Sequence, residues 1–357
     1  MNSGKKLFSG GEESERANGI QSTGFSQNGR IDRRSGALSR SDPGEGGTED
    51  EIRKEDSGGW DAERNEYKKK DMKKLEKLNA SYRAFLDNGK TERECVKESV
   101  RQAEEAGYRA LMYKSNDWSC HDRAWLIRQA LPDFEVFGSL CMNRVHGDKV
   151  NVYAAVQALK TTGKLCRCIW MPTLSASYQH RCDKLPGPGI PVLDPQGRVL
   201  PEVIRVMELC AEADIIFASG HSSPQESLIL ARKAKEIGVK KFVVTHVNSL
   251  IWKLTRDQIL RAVDLGAFVE YCYLPRLWGP GSGNPQFERQ SHEEFLRYVR
   301  TIPERSFIST DLGQLGNPNP IDGMRACIRE LSGAEIPQRD IDLLVRINPA
   351  HLIGLDK

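Results

Sequence analysis

The stretch DIIFASGHSSPQESLILARKAKEIGVKKFVVTHVNS, residues 214–249, decides the fold. Its two short apolar runs, at 214–222 and 241–249, read as buried strands. The segment between them (223–238) has a helical pattern, with Ser223 placed as N-cap, Pro224 at the first helical position and Gly238 as C-cap. A strand, a helix and a second strand at this spacing make a parallel pair joined by a right-handed crossover.

Working outward, the same plan repeats. Strands are predicted at RALMYKS (109–115), FEVFGSLCM (134–142), LCRCIWMPT (165–173), AFVEYCYL (267–274) and SFISTDLG (306–313). Helices are predicted at 91–107, 201–213 and 255–266, with Gly107 and Gly266 at their ends. Seven strands are too many for a small flavodoxin-like sheet, which leaves a (β/α)8 barrel or a large doubly wound sheet. No Gly-x-Gly-x-x-Gly follows the first strand, which removes the usual dinucleotide-binding form of the latter. The placement of polar residues favours a TIM-like barrel over 91–357.

Residues 1–80 differ in texture. They are rich in Gly, Ser and charged residues, and are predicted to be a disordered tail with at most a charged helix at 62–79. Over the full 357 residues, 52 Lys and Arg face 49 Asp and Glu, a net charge of +3. That balance gives no electrostatic case for nucleic acid or an anionic membrane. No run approaches the roughly 18 apolar residues of a membrane span, and no signal-peptide core is present. Nine cysteines without C-x-x-C spacing read as reduced thiols in a cytoplasmic protein.

The chemistry sits at strand ends. Gly220-His221, Thr245-His246 and Thr310-Asp311 each close a predicted strand. In a barrel those ends share one mouth. Two imidazoles and a carboxylate there suit a divalent metal, Zn by default, with Mn or Fe(II) as alternatives. Glu270 reads either as a partner orienting a metal-bound histidine or as an ordinary ion-pair residue. Arg144, after the third barrel strand, is a candidate for an anionic substrate group. Cys166 and Cys168 are expected to pack on one face of their strand. His180 and Cys182 flank a Pro-Gly loop that is a candidate flap.

Together with Asn348-Pro349-Ala350-His351-Leu352-Ile353-Gly354-Leu355, these strand ends resemble the amidohydrolase superfamily of metal-dependent hydrolases. The runs Met112-Tyr113-Lys114-Ser115, Trp170-Met171-Pro172-Thr173, Ser219-Gly220-His221 and Ser309-Thr310-Asp311-Leu312-Gly313-Gln314 resemble an uncharacterised bacterial and fungal branch of it. The resemblance implies His221 and His246 as metal ligands and Asp311 as a ligand that also accepts the attacking water's proton. It also implies a terminal helix N-capped by Asn348, with His351 structural. The departures are specific. The superfamily's first-strand His-x-His has no counterpart, since no histidine precedes His121. Asn116 stands where relatives carry histidine, and Lys114 lies on the wrong strand for the usual bridging lysine.

The expected function is therefore hydrolysis of an amide, ester, lactone or related polar bond in a small-molecule substrate. The alternative is a degenerate barrel that binds a ligand or partner without turnover. A barrel lacking its first strand leaves the 109–115 strand as an edge unless residues 75–90 cover it, and an exposed edge predicts poor solubility or a homo-oligomer, a dimer through that edge. The abrupt join near residue 90 also raises a replaced N-terminal segment as an explanation of the missing strand.

Overall fold

All seven predicted strands form, each parallel to the next. They are β1 (Ala110–Met112), β2 (Glu135–Cys141), β3 (Cys166–Trp170), β4 (Ile216–Ala218), β5 (Phe242–Val244), β6 (Phe268–Cys272) and β7 (Ser306–Ser309). The computed structural model describes residue 76, residues 92–105 and residues 107–355. The tail predicted over 1–80, and any segment from 75–90 that covers the β1 edge, lie outside the described residues apart from Glu76. The sheet order follows the chain, β1 through β7. A doubly wound sheet reverses its order at a switch point, whereas a barrel does not. No pairing joins β7 to β1 among the described residues. The fold is thus a (β/α)8-type barrel left open where the first strand would stand.

Helices α1 (Glu92–Glu105), α2 (His121–Ala130), α3 (Val152–Lys160), α4 (Ser177–Cys182), α5 (Pro201–Ala213), α6 (Pro224–Ile237), α7 (Arg256–Asp264), α8 (His292–Val299) and α9 (Pro320–Gly333) alternate with the strands. Helix α6 starts as its sequence predicts. Ser223 accepts from the Glu226 N–H at 3.1 Å and Glu226 accepts from the Ser223 N–H at 2.7 Å, a reciprocal cap that satisfies two orphan donors. At the other end Gly238 takes the left-handed conformation (φ 90°) and closes the helix.

Strand alternation sorts the core into two layers. Phe217, Phe242, Val244, Val269 and Tyr271 face the helices, where they meet Met207, Leu230, Ile259 and Phe295. Ile216, Ala218, Val243 and Phe268 join Cys168 and Trp170 in an inner layer. The expectation that Cys166 and Cys168 share a face is corrected here. Gly138 pairs with Cys166 and Ser139 with Cys168, so the β3 strand carries one extra residue at Arg167. This bulge breaks the alternation. Cys166 enters the outer core and Cys168 the inner one.

The C-terminal signature also needs correction. Asn348 is not an N-cap. It is the first residue of α11 (Asn348–Ile353), which follows α10 (Gln338–Asp342) and a π-helical turn at Leu343–Ile347 without a break. Its side chain donates instead to the Pro303 and Ser306 carbonyls at 2.9 and 2.7 Å. That anchors α11 at the start of β7, where Leu352 enters the inner core. The helix closes the amino end of the barrel, and the polar strand ends lie opposite.

A charged cluster braces the outside of that opposite end. Arg276 reaches Glu330 at 2.7 Å, Tyr273 Oη donates to it at 2.8 Å, and His292 Nδ1 lies 2.7 Å away. Arg276 also donates to the Gln290 carbonyl. Burial pushes the Glu330 carboxyl up, but His292, Tyr273 and Arg276 outweigh it and hold the group below the ordinary glutamate range. Arg276→Ala strands a largely buried carboxylate and is expected to cost about 2–4 kcal/mol, somewhat less than for a fully buried pair. Because the folded pKa is depressed, Glu330 contributes fully above the unfolded value of about 4.3 and loses that contribution as pH falls. Urea midpoints of wild type and Glu330→Gln should therefore differ at pH 7 and converge towards pH 3. A gap that persists undiminished at pH 3 contradicts this account.

Candidate active site

Three strands end in residues with left-handed backbone. Gly220 has φ 62°, His246 φ 57° and Asp311 φ 51°. Outside glycine this conformation is uncommon, and it persists only where surrounding structure enforces it. Here the enforcement is visible. The His221 N–H donates to the Pro172 carbonyl at 2.9 Å, the Thr245 N–H to Ser219 Oγ at 3.0 Å, and the His246 N–H to Glu270 Oε2 at 3.3 Å. Each predicted strand therefore stops short of its polar terminus, and the turn aims that terminus into the mouth.

His246, Asp311 and Cys272 form one cluster. A ligand-capable atom of each lies within 4.8 Å of the others, with His246 and Cys272 buried and Asp311 half-buried. His246 Nδ1 is 2.6 Å from Cys272 Sγ and 3.4 Å from Glu270 Oε2. Cys272 and Glu270 both project inward because β6 alternates, with Val269 and Tyr271 on the other face. Cys272 is absent from the site that the sequence predicts. The alternation that brings Glu270 inward applies equally to Cys272, and that was the available signal.

His221 stands next to this cluster rather than in it. Its ring centroid is 5.2 Å from that of His246 and 4.1 Å from Trp252. Its Nδ1 is 2.9 Å from Gln179 Oε1. Gln179 comes from α4, just before the loop read as a flap, and the Tyr178 hydroxyl of the same helix donates to the Ile251 carbonyl at 3.0 Å. Burial lowers the His221 pKa well below the usual imidazole range, and the nearby His246 and Lys114 add to that effect.

The remaining predicted residues divide. Lys114 Nζ donates to Asn116 Oδ1 at 2.9 Å, and Thr173 Oγ1 donates to the same oxygen at 3.1 Å. Asn143 Nδ2 completes the network on Thr173 Oγ1 and the Asn116 carbonyl, at 2.7 and 2.8 Å. Burial pulls the Lys114 ammonium down, but Cys141, Asp311 and Glu270 hold its pKa above the usual lysine range. Burial pushes the Cys141 thiol up to about 11. Arg144, by contrast, lies on an exposed turn and pairs with Asp148 at 3.6 Å. Cys182 is exposed, and His180 Nδ1 contacts the Gly187 carbonyl at 3.3 Å.

The donor set fits a divalent ion. It joins an imidazole, a carboxylate and a thiol, all types that zinc accepts. Two buried polar atoms beside it lack any hydrogen-bond partner, Thr245 Oγ1 and Trp252 Nε1, in side chains only 2% and 8% exposed. Such atoms are costly unless water or a ligand satisfies them.

A family model described as a family of unknown function, DUF6282, matches residues 91–270, half of the chain. The chain belongs to DUF6282. The matched DUF6282 segment contains His221, His246 and Glu270, and ends before Cys272 and Asp311. No curated protein matches the sequence significantly. Among solved structures, one described as the molecular engineering of organophosphate hydrolysis activity from a weak promiscuous lactonase template is 11% identical. It covers 76% of this chain and 91% of that one, with a TM-score of 0.50. A mutant organophosphorus hydrolase from Deinococcus radiodurans is 12% identical over 76% and 88%, TM-score 0.49. A TatD homologue from Escherichia coli is 14% identical over 73% and 96%, TM-score 0.42. At TM-score 0.50, the first shares the fold of this DUF6282 chain. Among the described residues no helix is long and apolar enough to cross a membrane.

Proposed function

We propose that the chain is a metal-dependent hydrolase acting on an amide, ester, lactone or related polar bond of a small molecule. The observation that supports this best is the convergence of His246, Cys272 and Asp311 within 4.8 Å at the mouth, two of them on strained backbone. A divalent ion bound there, with zinc the first expectation, supplies Lewis-acid polarisation and lowers the pKa of the attacking water.

The chain's own residues supply the rest. Asp311 accepts the proton of the attacking water and returns it to the leaving group. Glu270, 3.4 Å from His246 Nδ1, orients that imidazole. Trp252 Nε1 and Thr245 Oγ1 offer unpartnered polar atoms to an oxygen of the substrate. Eight described cysteines are free thiols, which suits a reducing cytoplasm.

The test is elemental analysis of full-length protein purified without chelator or His tag, followed by a hydrolysis screen over amides, esters, lactones and phosphotriesters. One metal per chain with hydrolysis lost on chelation is the expected result. Substoichiometric metal and no hydrolysis would assign the barrel to ligand binding without turnover. Lys114 gives that second reading its physical basis, because its ammonium already offers positive charge to Asp311 and Glu270.

A further inference from the structure

Where the first-strand histidines are missing, the ion needs another donor. We infer that Cys272 is that donor, so that His246, Cys272 and Asp311 hold the metal and His221 stands outside the ligand set. The inference deepens the hydrolase reading above and rests on it.

Four observations carry it. The cluster that comes together within 4.8 Å contains Cys272 and not His221. Cys272 is held in place from both sides of its backbone by one buried side chain. Asn248 Nδ2 donates to the Cys272 carbonyl and the Cys272 N–H donates to Asn248 Oδ1, each at 2.9 Å. Asn248 is fixed in turn by Gln290, which it contacts at 3.0 Å and which donates back to its carbonyl at 2.9 Å. Asn248 thus pairs the Cys272 backbone beyond the end of β5 and fixes the segment that carries the thiol. His221 meanwhile has its own partners, with Nδ1 on Gln179 and its ring against Trp252. Lastly, Thr245, next to His246 in the chain, and Trp252, whose ring centroid is 5.6 Å from that of His246, each carry a buried polar atom without a hydrogen-bond partner.

A competing role for Cys272 is that of a nucleophile activated by His246. A catalytic triad sets the nucleophile and the orienting acid on opposite nitrogens of the base. Here Cys272 Sγ and Glu270 Oε2 both approach Nδ1, at 2.6 and 3.4 Å. The arrangement does not relay a proton away from sulfur. Cys272 and Glu270 meet the same nitrogen of His246 instead of opposite ones.

Cobalt(II) tests the inference with the metal alone as probe. Full-length protein is stripped with chelator, reloaded with Co(II), and read by elemental analysis and near-ultraviolet absorption. The expected result is one cobalt per chain with a thiolate-to-cobalt charge-transfer band. Cys272→Ser should remove the band and weaken cobalt binding by about a hundredfold or more, at least the upper end of what losing an outer partner costs. His221→Asn should keep both the band and the stoichiometry. Bound cobalt without a band, or a band that survives Cys272→Ser, overturns the role of Cys272 and leaves the hydrolase reading intact. No cobalt bound at all defeats that reading, and this one with it. Should Cys272→Ser fail to fold, X-ray absorption at the zinc edge of zinc-loaded wild type decides. One sulfur in the coordination shell supports Cys272, and none refutes it.

Discussion

Asp311→Asn is expected to lower turnover by about two to four orders of magnitude, the range that a positioned general acid–base supplies. The amide preserves the shape of the side chain and tolerates the left-handed backbone at this position, φ 51°, which asparagine adopts more readily than most residues. It cannot accept the proton of the attacking water. Asp311 also sits within 4.8 Å of His246 and Cys272, so the same substitution weakens the metal set. Two measurements keep these effects apart. The kcat of the variant is taken with excess metal, on whichever substrate the wild type hydrolyses, and bound metal is counted separately. A kcat within threefold of wild type at full metal occupancy would exclude Asp311 as the proton acceptor.

Gly220→Ala is expected to destabilise the barrel by about 3 kcal/mol or more. Left-handed backbone costs an L-residue roughly 1–2 kcal/mol, and overpacking adds roughly 1–3 kcal/mol. The added Cβ would stand 2.3 Å from the Met171 carbonyl oxygen and 2.5 Å from that of Pro172, and neither backbone atom can swing aside. The end of β4 must then pull away from the end of β3, carrying His221 with it. Gly238→Ala is the control. Its φ of 90° is strained too, but a Cβ there meets nothing within 4 Å. That variant should lose only the roughly 1–2 kcal/mol of the left-handed backbone. Urea midpoints at matched m-values read both changes. Equal losses at the two positions would show that the close approach of strands β3 and β4 is not what fixes Gly220.

The fold was legible because its signals are local. The run 214–249 shows two apolar strands, a capped helix and a glycine stop. The structure reproduces β4, α6 and β5 within it, down to the N-cap at Ser223 and the stop at Gly238. The positions of His221, His246 and Asp311 just past the ends of β4, β5 and β7 were legible for the same reason. Asn348 shows the limit of that reading. Asn-Pro looks like a helix start, yet the preceding π turn already runs helically, and the Asn348 amide serves the barrel floor instead.

The sequence by itself determined the strands, their parallel order, the caps of α6, and the placement of His221, His246 and Asp311 at strand ends. Each of these depends on residues within a turn or two of one another. Only the tertiary structure decided which of them meet. His246 and Cys272 are 26 residues apart, His221 and Gln179 are 42, and Tyr178 and Ile251 are 73. Such contacts depend on how far the sheet curls and on how the α4 segment lies across the mouth. One inserted residue at Arg167 is enough to reverse a face. Curvature and register are set by packing summed over the whole core, and no short window of sequence carries that sum.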